Sequence, residues 1–168
     1  MFRRRPVRGG PGTAYELSAV IAGEEVLRAA TRMVPAARAA ALGQGLSLLP
    51  MTETLFHAVA GSLGRGALGF REVPEGFDRV LADWSAGGPV AYVEAEYFGG
   101  VGEQRAAVWE SGALVLGPLR VEEGEPFPSA GSPISRALRR LGVAARAGED
   151  EFSAVGLHRH RDSGDWVA

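Results

Sequence analysis

The fold is decided by residues 90–110: Val90-Ala91-Tyr92-Val93-Glu94-Ala95-Glu96-Tyr97-Phe98-Gly99-Gly100-Val101-Gly102-Glu103-Gln104-Arg105-Ala106-Ala107-Val108-Trp109-Glu110. Residues 89–98, rich in valine and aromatic side chains, read as one β-strand and residues 103–110 as another. The glycines of 99–102 join them as a hairpin, because tight connections often need a positive φ that glycine adopts without steric cost. Ser111-Gly112 then turns the chain into residues 113–116, which completes a three-stranded meander. Successive side chains of a strand alternate between faces. Tyr92, Glu94, Glu96 and Phe98 therefore share one face, and Ala91, Val93, Ala95 and Tyr97 share the other. The small apolar face is expected to meet the core, leaving both carboxylates open to water or to a partner.

Working outward, Phe77, Val80, Leu81 and Trp84 recur at helical spacing, so residues 75–86 read as an amphipathic helix stopped by Gly87-Gly88. Ser132 is a good N-cap with Pro133 in the first turn, and Ile134, Ala137, Leu138 and Leu141 make the buried stripe of a helix ended by Gly142. Between them, 118–131 carries three prolines with Glu122, Glu123 and Glu125 and reads as an exposed loop. Toward the N-terminus, residues 14–21 alternate as a strand. Gly23 can open a helix with Glu24 and Glu25 in its first turn, Val26, Leu27, Ala30 and Met33 on one face, and Pro35 closing it. Residues 40–49 are ambiguous: Leu42, Gln44, Leu46 and Leu48 alternate, but Gly43 and Gly45 weaken a strand. Thr52 is a plausible cap for a short helix with Leu55, Phe56 and Val59. Residues 62–69 read as a mobile glycine loop, and 149–155 as one helical turn.

Taken together, these elements predict an α+β domain over 14–168: an antiparallel sheet of four to five strands with helices packed on one face. Strictly alternating βα units are missing, which disfavours a doubly wound parallel sheet. Residues 1–13 read as a disordered Arg/Gly-rich tail, with a phosphate- or acid-contacting arm as the alternative. The basic start followed by Gly9-Gly10-Pro11-Gly12 lacks the apolar run of an export signal, and no apolar stretch is long enough to span a membrane, so a soluble cytoplasmic protein is expected.

Composition excludes several chemistries. The 168 residues hold 18 basic and 20 acidic side chains and no cysteine. Disulfides, thiolate catalysis and thiolate zinc sites are out. Every basic residue is arginine, which removes a Schiff-base lysine and a P-loop lysine. A net charge of −2 argues against a dedicated nucleic-acid binder.

Among candidate sites, Glu94 and Glu96 stand out. Two carboxylates on one strand face repel, and burying one raises its pKa, a route to a general acid or cation site. A solvated face and a partner-binding face are the simpler readings. Gly99, Gly100 and Gly102 do not make a dinucleotide loop, because a strand follows them where a helix is needed. His158 and His160, with Asp162 and Asp165 nearby, are the one metal-like cluster, but Arg159 and Arg161 interleave them, and a solvated tail is the default. His57 reads as a core-edge histidine. No Gly-x-Ser-x-Gly elbow is present. Trp84 and Trp109 read as core or core-edge residues, and Trp166 as tucked onto the sheet or exposed for a partner.

The run from Glu94 to Gln104, the following Ala106-Ala107-Val108-Trp109, residues 150–157 and Asp165-Trp166 together resemble small bacterial proteins of the toxin-immunity type and related stand-alone interaction proteins. The resemblance covers residues 75–168. It implies a compact α+β cytoplasmic protein that acts by binding another protein. The expected function is accordingly a non-enzymatic protein-binding domain that neutralises a partner, such as a basic toxin domain, through an acidic sheet face. The partner-binding residues are Glu94, Glu96, Tyr97, Gly99, Gly100, Gly102, Glu103 and Gln104, helped by the Glu122–Glu125 loop. Charge complementarity of this kind speeds association and selects partners. No cofactor, metal or catalytic residue is assigned. The rival is a small metal- or ligand-binding enzyme in which Glu94 and Glu96 work with His158 and His160. A third option is a homo-oligomer paired through an exposed sheet edge.

Overall fold

Val90 pairs with Trp109 and Phe98 with Val101, so the residues that decide the fold do form an antiparallel hairpin. The computed structural model describes residues 14–60, 66–99 and 101–167. The expected tail at 1–13, residues 62–65 of the expected mobile loop, and Gly100 lie outside the described residues. Six strands, β1 (Ala14–Gly23), β2 (Ala40–Ala41), β3 (Leu46–Pro50), β4 (Val90–Phe98), β5 (Val101–Glu110) and β6 (Ala113–Val121), form one antiparallel sheet in the order β2-β3-β1-β4-β5-β6. The α+β class holds, with six strands where four to five were expected.

The surplus comes from the ambiguous stretch 40–49, which supplies both β2 and β3. Its glycines weaken no strand because they sit in the reversal: Gln44 and Gly45 adopt φ of 58° and 75°. Leu46 and Leu48 then face one core, and Leu49 faces the other. β6 also runs further than the expected 113–116. Pro118, read as loop, sits within it behind a cis Gly117–Pro118 bond. An edge strand tolerates proline because one side of its backbone has no ladder to donate to.

The second correction concerns the helices, which cover both faces of the sheet where one was expected. On one face, α1 (Glu24–Arg32), α2 (Glu53–Ala60) and α3 (Phe77–Trp84) bring Leu27, Leu55, Phe56, Phe77 and Leu81 onto Val20, Ala22, Val90, Tyr92, Ala107 and Trp109. On the other, α4 (Pro133–Arg140), α5 (Glu151–Ala154) and the 3₁₀ turns Leu157–Arg159 and Ser163–Val167 cover Leu17, Ala19, Ile21, Ala91, Val93, Ala95, Ala106 and Val108. The central strands are apolar on both sides, so water on either side would leave a core face bare. Small residues such as Ala19, Ala91 and Ala106 let the helices approach closely.

Local signals set the helix ends. The Ser132 hydroxyl accepts the Ser135 N–H at 3.2 Å with Pro133 next to it, and the Thr52 hydroxyl accepts that of Leu55 at 3.2 Å. Met33, expected on the buried face of α1, falls at its C-cap and is exposed. Trp166 is buried against the sheet. Its segment also extends the sheet where β3 stops short of the start of β1. The Glu16 N–H donates to the Arg161 carbonyl at 2.7 Å and the Ser18 N–H to the Ser163 hydroxyl at 2.9 Å. Backbone donors that β3 cannot reach are thereby satisfied.

Candidate functional site

β4 turns Tyr92 and Glu94 toward the face shared with α3, and there residues 66–73 lie across them. Phe70 and Val73 are buried, and Phe70 meets Tyr92 edge to face at 4.9 Å. Glu94 is 5% exposed. Its carboxylate accepts the backbone N–H groups of Arg71 and Glu72, both at 2.8 Å, and the Tyr92 hydroxyl at 3.0 Å. The Arg105 guanidinium stands 4.0 Å away. Burial pushes the Glu94 carboxyl above its ordinary value, while the two backbone donors, Tyr92 and Arg105 pull the other way. Tyr92 is pushed far up as well, by its own burial first and by the neighbouring carboxylate second.

The expectation that both glutamates face outward is therefore corrected for Glu94. Its face points where the pleat puts it, but a second layer of chain covers that face. The physical reason is the backbone of 71–72, whose N–H groups are turned inward and need an acceptor. Glu94 supplies one and clamps the segment to the sheet.

Glu96 is exposed, as expected. Arg71 reaches it and also Glu103, and Arg105 lies 3.5 Å from Glu103. Two guanidiniums thus offset three carboxylates, so the acidity of the face is much reduced. Arg71 was not singled out from the sequence. The signal that could have found it is the run Phe70-Arg71-Glu72-Val73, whose two apolar residues mark a return to the core after the glycines.

The remaining residues of the expected site divide between surfaces. Phe98 and Val101 stand opposite each other at the hairpin end, 49% and 50% exposed, with Gly99 exposed beside them. Gly102 is inside β5, which begins at Val101, two residues earlier than expected. A Cβ there would lie 1.8 Å from the Glu96 carbonyl oxygen, so close strand approach requires glycine. Tyr97 projects to the opposite face and is half-buried. Gln104 is buried, and its Oε1 accepts the Ile134 N–H at 3.1 Å, which ties β5 to the start of α4.

The histidines do not join the glutamates. His158 lines a cavity on the α4 face, and His160 packs edge-on against Trp166 with ring centroids 4.6 Å apart. The sheet separates both from Glu94. Among the described residues, no group of three or more His, Asp or Glu could hold a metal ion. His57, expected at the core edge, is exposed and lies 3.5 Å from Glu53. No helix among the described residues is long and apolar enough to cross a membrane. No family model, no curated protein and no solved structure matches the chain, so the reading of the site rests on its geometry.

Proposed function

We propose that the chain works by binding another protein through the end of the β4–β5 hairpin. The observation that carries this reading is the directly opposed pair Phe98 and Val101, half-exposed at the end of the central hairpin. An apolar centre within a charged rim is the usual anatomy of a protein contact. The rim here is Glu96 and Glu103 with Arg71. Register adds to it: Val121 pairs with Gln104, so Glu122, Glu123 and Glu125 leave β6 at the same end of the sheet. A partner with a basic border around an apolar pocket fits this surface. Capping of a basic toxin domain, the role implied by the immunity-type resemblance, is the specific form of the proposal.

The test compares capture of protein partners by the wild type and by the double variant Phe98→Ser, Val101→Ser. A partner held by the wild type and released by the variant, with an unchanged melting temperature, supports the reading. Glu96→Ala is expected to weaken the salt dependence of the same interaction. Equal retention by the double variant would sink it.

A further inference from the structure

At the end of the sheet away from the hairpin tip lies a cavity of about 810 Å³. The first turn of α1, the last turn of α3, the chain entering β3 and β4, and Leu141 after α4 surround it. That volume lies within the range of roughly 300–1,000 Å³ usual for small-molecule sites. Val26, Ala30, Leu46, Trp84 and Leu141 give it apolar walls. Met33 also lines it and is 81% exposed, which leaves a flexible thioether free to adapt to an occupant.

The charges around this cavity are of one sign. Glu24, Glu25 and Asp83 line it, and among the described residues no arginine or histidine does. Two of the three acids have a reason within the fold: Glu24 and Glu25 occupy the first turn of α1, where the helix dipole favours carboxylates, and Glu24 is paired with Arg28. Asp83 has no such reason. It sits in the last turn of α3, at the negative end of that helix, and no basic residue in the turn offsets it. Among the described residues it has no hydrogen-bond or ion-pair partner. Trp84 follows it in the chain and lines the same cavity, its ring held edge to face against Phe77 with centroids 5.7 Å apart. An indole attracts a cation laid over its face.

From these observations we infer that the cavity binds a small organic cation, an ammonium group on an apolar body, with Asp83 as its counter-ion and Trp84 beside it. The apolar walls take the body of the ligand, and the carboxylate that opposes the helix dipole takes the charge. An anionic ligand would meet three carboxylates. The cavity lies at the opposite end of β4 from Phe98 and does not depend on the protein-binding reading.

The probe is phenethylamine, a cation at neutral pH, and the control is phenethyl alcohol, of the same shape without the charge. Titration into the ¹⁵N-labelled protein is expected to shift the amides of Val26, Leu46 and Trp84 at millimolar amine. The alcohol should bind there roughly three- to tenfold more weakly. Asp83→Asn should remove most of that difference and leave the alcohol unchanged. The same variant should melt no lower than the wild type, because it relieves a charge set against the helix dipole. Glu75→Gln, which removes an exposed acid outside the cavity, should leave both affinities as they are. Equal binding of the two probes, a preference for the amine that survives Asp83→Asn, shifts confined to other surfaces, or a clear loss of stability in Asp83→Asn would each overturn the inference.

Discussion

Arg71 and Glu94 are joined through the backbone: the Arg71 N–H donates to Glu94 Oε1 at 2.8 Å, while the Arg71 guanidinium turns away to Glu96 and Glu103. The two halves of that residue therefore have different energetic weights. Its amide satisfies a buried carboxylate, while its side chain makes an exposed ion pair with Glu96 that water screens and a second with the mostly buried Glu103.

Removing the carboxylate is accordingly expected to be severe. Glu94→Ala leaves the amides of Arg71 and Glu72 and the Tyr92 hydroxyl without their acceptor and should cost about 2–4 kcal/mol in urea unfolding. Glu94→Gln keeps one acceptor oxygen and should cost less. Arg71→Ala, which retains the amide, should change stability by about 1 kcal/mol or less. An Arg71→Ala penalty matching that of Glu94→Ala would show that the ion pairs matter as much as the clamp.

The pH dependence has a definite sign. Burial holds the Glu94 carboxyl above its ordinary value, so the folded protein keeps a proton that the unfolded chain has shed. The stability this contributes is complete below the unfolded carboxylate value and is lost as pH rises through the folded one. Relative to Glu94→Gln, the wild type should lose stability as pH rises across the mildly acidic range. Glu110 runs the other way. The two bonds from Arg140, at 2.8 and 3.0 Å, hold its carboxyl below the ordinary value. Its contribution is present above the unfolded value and fades as pH falls through the folded one. Unfolding curves for wild type, Glu94→Gln and Glu110→Gln at several pH values separate the two trends.

Gly102→Ala should disrupt the hairpin although the change adds one methyl group. The new Cβ would collide with the Glu96 carbonyl, and a backbone atom cannot swing aside as a flexible side chain can. Loss of the Tyr97 and Glu103 amide signals from their native positions, with a lower melting temperature, is the expected result. Gly112→Ala, where a Cβ meets nothing within 4 Å, is the comparison; its cost should come only from its φ of 82°.

Trp166→Ala should be among the costliest single changes, about 3–4 kcal/mol, because the ring is buried against the sheet and packs on His160 and Arg159. A penalty below about 1 kcal/mol would mean that the segment rests on the sheet without supporting it.

What the sequence disclosed follows from how local each signal is. The meander was legible because alternation, glycine turns and valine-rich runs all lie within residues 90–116. The Ser132-Pro133 cap and the Phe77–Trp84 stripe are equally local and appear where expected. The second layer over the sheet was not legible from β4 alone: whether Tyr92 and Glu94 face water depends on Phe70 and Val73, twenty residues away. The same holds for 40–49, where the glycines looked like flaws in one strand and turn out to join two. Glu94 was found as chemically distinctive, but its partners are backbone amides, which leave no trace in side-chain identity. The cavity that His158 lines was invisible for a similar reason, since its walls come from residue 15 and from the stretches 97–104, 127–135 and 150–161.

The docking of residues 161–166 along β1 bears on how the chain is made. A ribosome delivers Leu17, Ala19 and Ile21 early, yet the side chains that cover them arrive with α4 and the segment ending at Trp166. During synthesis the nascent sheet would present a bare apolar face, a hazard for sticking to other emerging chains. This face of the core therefore cannot close until the segment ending at Trp166 has emerged.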